Sequence, residues 1–329
     1  MRSEFGLSLE GSETLDSVRA MAKVADDSNA STIWLASHLF QREPITTAAL
    51  ILSATRNVKV ALMAMSPYSV HPVYSTMAAA TLNEQFPGRV KLCFGVGAPR
   101  DLEAAGLNAE HPLATLRESI QIARTLLRGE TIQHEGQRFK VSGRRLSIGA
   151  QDLPIFLAAS GPQMLELAGA LADGVLISAA TSPAFIRWTL DLVRKGEEQA
   201  GRRIQKTALA FVSTADDETA AHDRLRRILA FILRGQHHAR NLSLAGTSLD
   251  QTALAAAYAQ EDWSTVEKLV SDEVVRNHAA SGTPEQFNQA IKAYEDVGID
   301  EIVAAGVGEV QQLKRVFSAV GKFKAAEAS

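Results

Sequence analysis

Short apolar runs recur along the chain, separated by longer stretches whose apolar residues return every three or four positions. The runs are EFGLSL (4–9), TIWLAS (32–37), VKVALMAM (58–65), RVKLCFGVG (89–97), PIFLAAS (154–160), GVLIS (174–178), KTALAFV (206–212) and DEIVAAG (300–306). Most are apolar on both faces, the pattern of parallel strands enclosed between helices and a packed interior. Amphipathic stretches at 12–27, 44–54, 73–86, 113–128, 162–172, 183–200 and 309–324 read as the helices between them. Ser12 with Glu13 reads as a helix start, and Thr283-Pro284-Glu285 as a cap with proline at the first helical position. Eight strands in strand–helix alternation predict a (β/α)8 barrel, with a doubly wound sheet as the alternative.

Two spacings break that rhythm. Residues 129–153 alternate like a small β insertion turning at Glu135-Gly136, after the fourth long helix. Residues 214–299, between the seventh and eighth strands, are too long for one crossover. They read as a helical excursion with segments at 216–235 and 252–272, and the weakly periodic 237–250 as a mobile loop. The 329 residues are therefore assigned to one barrel domain, 1–329, with two insertions.

Composition narrows the partners. Net charge is −3 and no basic tract stands among the 34 Lys and Arg, so nucleic acid is not expected. No apolar run reaches the ~18 residues of a membrane span, and Glu4 and Glu10 interrupt the N-terminal stretch where a signal peptide needs an apolar core. The single cysteine, Cys93, suits a reducing cytoplasm and reads as a buried small hydrophobe. No His or carboxylate pair has metal-ligand spacing; His237-His238 and His278 read as solvated.

Barrels of this class react at the C-terminal ends of their strands. Those ends hold Ser8 to Glu10, Ser37-His38, Met65-Ser66, Gly95 to Gly97, Ser160-Gly161 and Ser178 to Thr181. Small and hydroxyl residues there let a ligand approach backbone amides. Gly161 can adopt a positive φ and Pro162 can open the next helix, so that the amides of Gly161, Gln163 and Met164 face outward as an anion site. An empty tight turn is the bland alternative. Ser178 to Thr181, ending the next strand, would add a second side to the same pocket. His38, the one histidine at a strand end, is either a hydrogen-bond donor and proton relay or a satisfied structural side chain. His71-Pro72 reads as a helix cap. Gly95-Val96-Gly97 lacks the third glycine of a dinucleotide fingerprint, with Arg100 in its place.

Five passages, STIWLASHL, SPYSVHPVYSTMAAATLNEQFPGRVKLCFGVG, HPLATLRESIQIARTLLRGE, EGQRFKVSGRRL and ASGPQMLELAGALADGVLISAA, resemble the luciferase-like monooxygenase superfamily. They span about residues 30–185, and the resemblance is nearest to its deazaflavin-dependent methylenetetrahydromethanopterin reductases. The resemblance implies a barrel that binds coenzyme F420 or FMN, moves hydride to or from a small-molecule substrate, and forms a cytoplasmic homodimer. It places His38 near the cofactor ring and a strand bulge with a cis peptide at Met63-Ala64. Ser66, Gly95 and Gly97 become ring contacts, while Ser160, Gly161, Pro162, Gln163, Met164, Ser178, Ala179 and Thr181 become contacts to the phosphate tail. Three positions that are acidic in those relatives differ: Ser37 before His38, Ser8 on the first strand, and Arg100 after the glycine turn. Glu10 stands two residues from Ser8 as a replacement acid, and Ser8 and Arg100 are assigned to substrate. These departures bear on pterin reduction more than on cofactor binding. The alternatives are an FMNH2- and oxygen-dependent monooxygenase, an NADH-dependent flavin-free folate-type reductase, and a non-catalytic flavin-binding protein.

Overall fold

The computed structural model describes residues 3–326; the ends of the assigned 1–329 domain, residues 1–2 and 327–329, lie outside the described residues. The strands are β1 (Glu4–Leu9), β2 (Thr32–Ala36), β3 (Lys59–Met65), β4 (Val90–Phe94), β5 (Ile132–Glu135), β6 (Lys140–Arg144), β7 (Ile155–Ala158), β8 (Gly174–Ile177), β9 (Gln205–Thr214), β10 (Ala280–Gly282) and β11 (Glu301–Ala305). The helices are α1 (Leu15–Asp27), α2 (Pro44–Ala54), α3 (Pro72–Gln85), α4 (Pro99–Ala104), α5 (Pro112–Leu127), α6 (Pro162–Leu171), α7 (Pro183–Ala200), α8 (Glu218–Leu233), α9 (Ala239–Ala245), α10 (Gln251–Ala259), α11 (Trp263–Leu269), α12 (Asp272–His278), α13 (Pro284–Asp296) and α14 (Val310–Ala326). Strand order is β10-β9-β11-β1-β2-β3-β4-β7-β8, with β8 also pairing β9. The eight anticipated strands thus close into a (β/α)8 barrel, and the short β10 lies beside β9.

Residue contacts group the chain into two compact units. The larger holds Gly6–Leu176 and Asp191–Thr207. Its strands pair in parallel: Leu9 faces Leu35, Ala36 faces Met63, and Cys93 faces Phe156. Trp34 and Phe156 meet edge to face at 5.2 Å, filling the interior that the two-faced apolar pattern anticipates. Seven helices, α2 to α7 and α13, begin with proline, whose fixed φ and missing donor cost nothing at that position. The barrel helices among them start within a few residues of the strand before, which keeps the strand-end loops short. Asp173 closes the opposite rim: its carboxylate accepts from the Ile155 amide at 2.9 Å and from Arg124 at 3.0 Å. The insertion at 129–153 is the antiparallel pair β5–β6, whose turn is held by the Glu118 carboxylate accepting the amides of Gln137, Arg138 and Phe139.

The smaller unit holds Ile177–Leu190 and the residues from Ala208 onward, with the opening of β1. Here β9 and β10 pair in parallel, and α8 to α12 gather around Leu225, Leu229, Leu242, Leu254, Val266 and Val275. Three expectations change. Residues 236–245 are a 3-10 turn followed by α9 rather than a loop, because Leu242 is buried where the polar surroundings of the sequence hide a single anchor. Helix α1 is capped by Thr14, not Ser12; Glu13 instead turns back on the loop before it. His278 is fully buried rather than solvated, and its pKa is pushed down to about 4 by that burial; His238 is half-buried and only His237 is exposed. Thr283 forms the anticipated capping box with Gln286.

Candidate active site

The first four strands of the larger unit end at one group of side chains. Beyond β1, Gly11 takes φ +92, a left-handed conformation that suits glycine, and lets the chain double back. The Glu13 carboxylate accepts the amides of Glu10 (3.0 Å) and Gly11 (2.8 Å), and Arg42 donates to the carbonyls of Gly11 and Ser12. Glu10 is thereby fixed, and the buried Ser8 hydroxyl donates to its Oε1 at 2.7 Å. At the end of β2 the Ser37 amide donates to the Met63 carbonyl, which sets His38 beside the end of β3. The Met63–Ala64 peptide is cis, at the position the sequence resemblance implies, and the β3–β4 register shifts between Leu62 and Met65.

His38 lies between two carboxylates. Its Nε2 is 3.6 Å from Glu10 Oε2 and its Nδ1 is 3.3 Å from Asp101 Oδ2. A neutral imidazole has a donor on only one nitrogen; the imidazolium has donors on both and suits two acceptors. Contact with Glu10 raises the His38 pKa first; partial burial opposes it, and the charges of Glu10 and Asp101 add to the rise. For Glu10, burial favours the neutral acid but is outweighed by His38 and Ser8, so its pKa falls below the usual carboxylate range. The pair is charged between Glu10's lowered pKa and His38's raised one. Its contribution to stability is lost as pH falls through the first or rises through the second. A His38 ring-proton titration followed by NMR is expected to have its midpoint above 6.5. Glu10→Gln is expected to bring the midpoint down, and an unchanged midpoint would mean that Glu10 does not hold the proton.

Asp101 is the residue that sequence reasoning missed. It stands one position beyond Arg100, in the first turn of α4, and buried Leu102 anchors that turn. Arg100 itself is exposed, away from the carboxylate-flanked imidazole's hydrogen bonds. The chain carries an acid near the place where Ser37, Ser8 and Arg100 suggested that acids had been lost.

Behind His38 the glycine turn packs onto the bulge. Ser66 Oγ donates to the Val96 carbonyl at 2.6 Å and accepts from the Tyr68 amide. Gly97 has φ +97, and a Cβ on Gly95 would stand 2.7 Å from the Ala64 Cβ. Gly95→Ala is therefore expected to cost about 1–3 kcal/mol by overpacking against the bulge, measurable by denaturant unfolding.

Ser160 and Gly161 precede α6, where Gly161 is the N-cap and Pro162 the first helical residue. No side chain caps this helix, and a Cβ on Gly161 would meet nothing within 4 Å. Gly161 has φ −84, so it does not use the positive φ open to glycine, and the absent side chain leaves open space beside it. In the smaller unit, Ser178 is exposed and Ala179 half-buried at the end of β8, while Ala180 is buried with φ +61 and Thr181 Oγ1 donates to the Ser178 carbonyl. His71 caps α3 by accepting from the Val73 amide, and buried Cys93 has its thiol pKa raised by burial. Among the described residues there is no metal-binding cluster and no helix long and apolar enough to cross a membrane.

The model of the luciferase-like monooxygenase family matches residues 2–301. The chain belongs to that family. It is 30% identical to a 5,10-methylenetetrahydromethanopterin reductase of Archaeoglobus fulgidus, over 86% of this chain and 87% of the relative. It is 29% identical to an F420-dependent glucose-6-phosphate dehydrogenase of Nakamurella multipartita, over 74% of this chain and 69% of the relative. The solved structure of the coenzyme F420-dependent tetrahydromethanopterin reductase from Methanopyrus kandleri superposes with a TM-score of 0.88 at 24% identity, covering 98% of each chain. The family member described here is an oxidoreductase, and its barrel is the family's.

Proposed function

We propose that this oxidoreductase uses coenzyme F420 and exchanges a hydride between the deazaflavin ring and a small organic substrate, with His38 holding the proton that accompanies it. The observation that carries this reading is the imidazole between Glu10 and Asp101 at the mouth of strands β1 and β2, beside the cis Met63–Ala64 bulge. A relative at 29% identity, an F420-dependent glucose-6-phosphate dehydrogenase, supports the choice of cofactor.

The residues present fit such a group. The uncapped start of α6 offers the amides of Gly161, Gln163 and Met164 to a phosphate, with open space over Gly161. Met63, Ala64, Ser66, Gly95 and Gly97 would back the ring. Once bound, the deazaflavin supplies hydride transfer as a two-electron carrier. Glu10 and Asp101 keep His38 protonated; Ser8 holds Glu10 in place. In the reducing direction the imidazolium donates a proton to the substrate, and in the oxidising direction the neutral ring accepts one. Because the His38 pKa is raised, reduction is expected to slow as pH rises through that value, and oxidation to gain. Arg100, exposed on α4, is proposed to meet an anionic group of the substrate.

Titration of the protein with F420, FMN and NADH, followed by fluorescence, tests the reading. F420 is expected to bind below ~100 μM, about −5.5 kcal/mol. No binding of F420 in that range would overturn the proposal. Tighter binding of FMN, with oxygen uptake coupled to oxygenation of a substrate, would favour the monooxygenase alternative instead.

A further inference from the structure

Phe40 stands where a phenylalanine is poorly suited to stand. Among the described residues it is the most exposed of the large apolar side chains, at 74%. Its backbone takes φ +67, in the left-handed region that glycine enters with ease and a bulky residue seldom does. It is the third residue of a four-residue turn that begins at His38, closed by the Gln41 amide donating to the His38 carbonyl at 3.3 Å. Positive φ at that place in a turn usually calls for glycine or asparagine.

The turn is pinned on both sides, so the exposure of the ring is not the looseness of a loop. Before it, the His38 imidazole lies between Glu10 and Asp101. After it, the Arg42 amide donates to the Gly11 carbonyl at 3.2 Å, and the Arg42 guanidinium donates to the carbonyls of Gly11 and Ser12 at 3.3 and 3.2 Å. A Cβ on Gly11 would stand 3.1 Å from the Gln41 Cβ, so the loop after β1 leaves just enough room for the turn. Glu43 then accepts the amides of Ile45 and Thr46 at the start of α2.

Two local costs therefore meet in one residue, a strained backbone and an uncovered ring, and glycine would remove both. Strained residues other than glycine gather where a ligand is gripped. An aromatic ring standing in water offers a large apolar area to whatever covers it. This ring belongs to the turn that carries His38, the group proposed to exchange a proton with the substrate. A phenylalanine has no polar atom, so it selects by the apolar surface it covers and not by hydrogen bonding.

We propose that Phe40 is a specificity-determining residue: its ring walls the substrate site beside His38 and selects substrates with an apolar group next to the carbon that exchanges hydride. The inference rests on the proposed function and adds to it the character of the substrate.

Methyl ketones of increasing chain length, from butanone to octan-2-one, are the probes. Their carbonyl carbon can take a hydride and their oxygen the proton of His38. Their affinity for the F420-loaded protein is measured by isothermal titration calorimetry in wild type, Phe40→Leu and Phe40→Gly, beside F420 titration, melting and oligomeric state of each. Wild-type affinity is expected to rise about threefold to fourfold with each added methylene. Phe40→Gly is expected to lose at least about tenfold for octan-2-one, the effect of removing a ring's worth of apolar burial, and little for butanone. Phe40→Leu, which keeps an apolar side chain, is expected to retain most of the gain with length. Affinity for F420 is expected to stay at the wild-type level in both variants. Phe40→Gly is expected to melt at or above wild type, because it relieves the positive φ and removes no packed contact. Wild-type affinity that does not grow with chain length, or an equal loss for short and long ketones in Phe40→Gly, would overturn the inference and leave the F420 reading standing. A lower melting temperature of Phe40→Gly, or dissociation of an oligomer by it, would assign the ring to packing or to a protein contact and overturn the inference likewise. Failure of wild type to bind F420 would overturn the proposed function with it.

Discussion

His38→Ala is expected to lower kcat by about 10²–10⁴-fold, the usual contribution of a positioned general acid or base, while cofactor affinity changes little. The asymmetry follows from where the residue sits. His38 is an exposed imidazole whose two nitrogens are engaged by Glu10 and Asp101, and none of its contacts supports the start of α6 or the glycine turn. Affinity is assigned to α6 amides and the bulge; proton transfer is assigned to His38. Steady-state rates beside equilibrium titration of the same variant separate the two, and an unchanged kcat would remove His38 from the mechanism. Glu10→Gln is expected to act differently. It leaves the imidazole in place but lowers its pKa, so reduction persists at low pH and its alkaline decline begins earlier.

Gly169→Ala is expected to destabilise the protein by about 3 kcal/mol, at the upper end of overpacking costs. Within a helix the same change normally stabilises by up to ~1 kcal/mol, so the sign alone is informative. A Cβ on Gly169 of α6 would stand 2.1 Å from the Val193 carbonyl oxygen of α7, and one on Gly196 of α7 would stand 2.1 Å from the Glu166 carbonyl oxygen of α6. Both obstacles are backbone, which cannot rotate away as a side chain can. The two helices therefore meet glycine to backbone, and any added carbon must push α6 from its place. Because α6 carries the proposed phosphate amides, the loss of stability is expected to come with weaker F420 binding. Denaturant unfolding measures the first, and a stability at or above wild type would show that the helices can part.

The barrel was legible because its strands are apolar on both faces, a pattern that neither the excursion nor the β5–β6 hairpin shares. The position of His38 at a strand end was legible too, but its two carboxylate neighbours were not, and the sequence left it open between proton relay and structural side chain. Asp101 was not legible, since its role depends on α4 turning its first residues toward β2, which no spacing along the chain reveals. Position 10 was recognised as an acid near the site, but the Glu13 and Arg42 contacts that fix it belong to a loop that read as a helix start. In the excursion, His278 read as solvated and Asn241 fell within the expected mobile loop, because α9 and α12 are only seven residues long, too short for periodicity to show which face is inward. The cis peptide came from the family resemblance; local pattern does not specify it. At Gly161 the sequence suggested backbone freedom, whereas the structure shows an ordinary negative φ and open space beside the residue.

A crystal structure of the F420 complex tests the central claim most directly. The account predicts the deazaflavin ring lying against Met63–Ala64 and the Gly95–Gly97 turn, with His38 facing its reactive edge and the phosphate accepting from amides at the start of α6. A ring bound elsewhere, or a phosphate that leaves those amides to solvent, would contradict it.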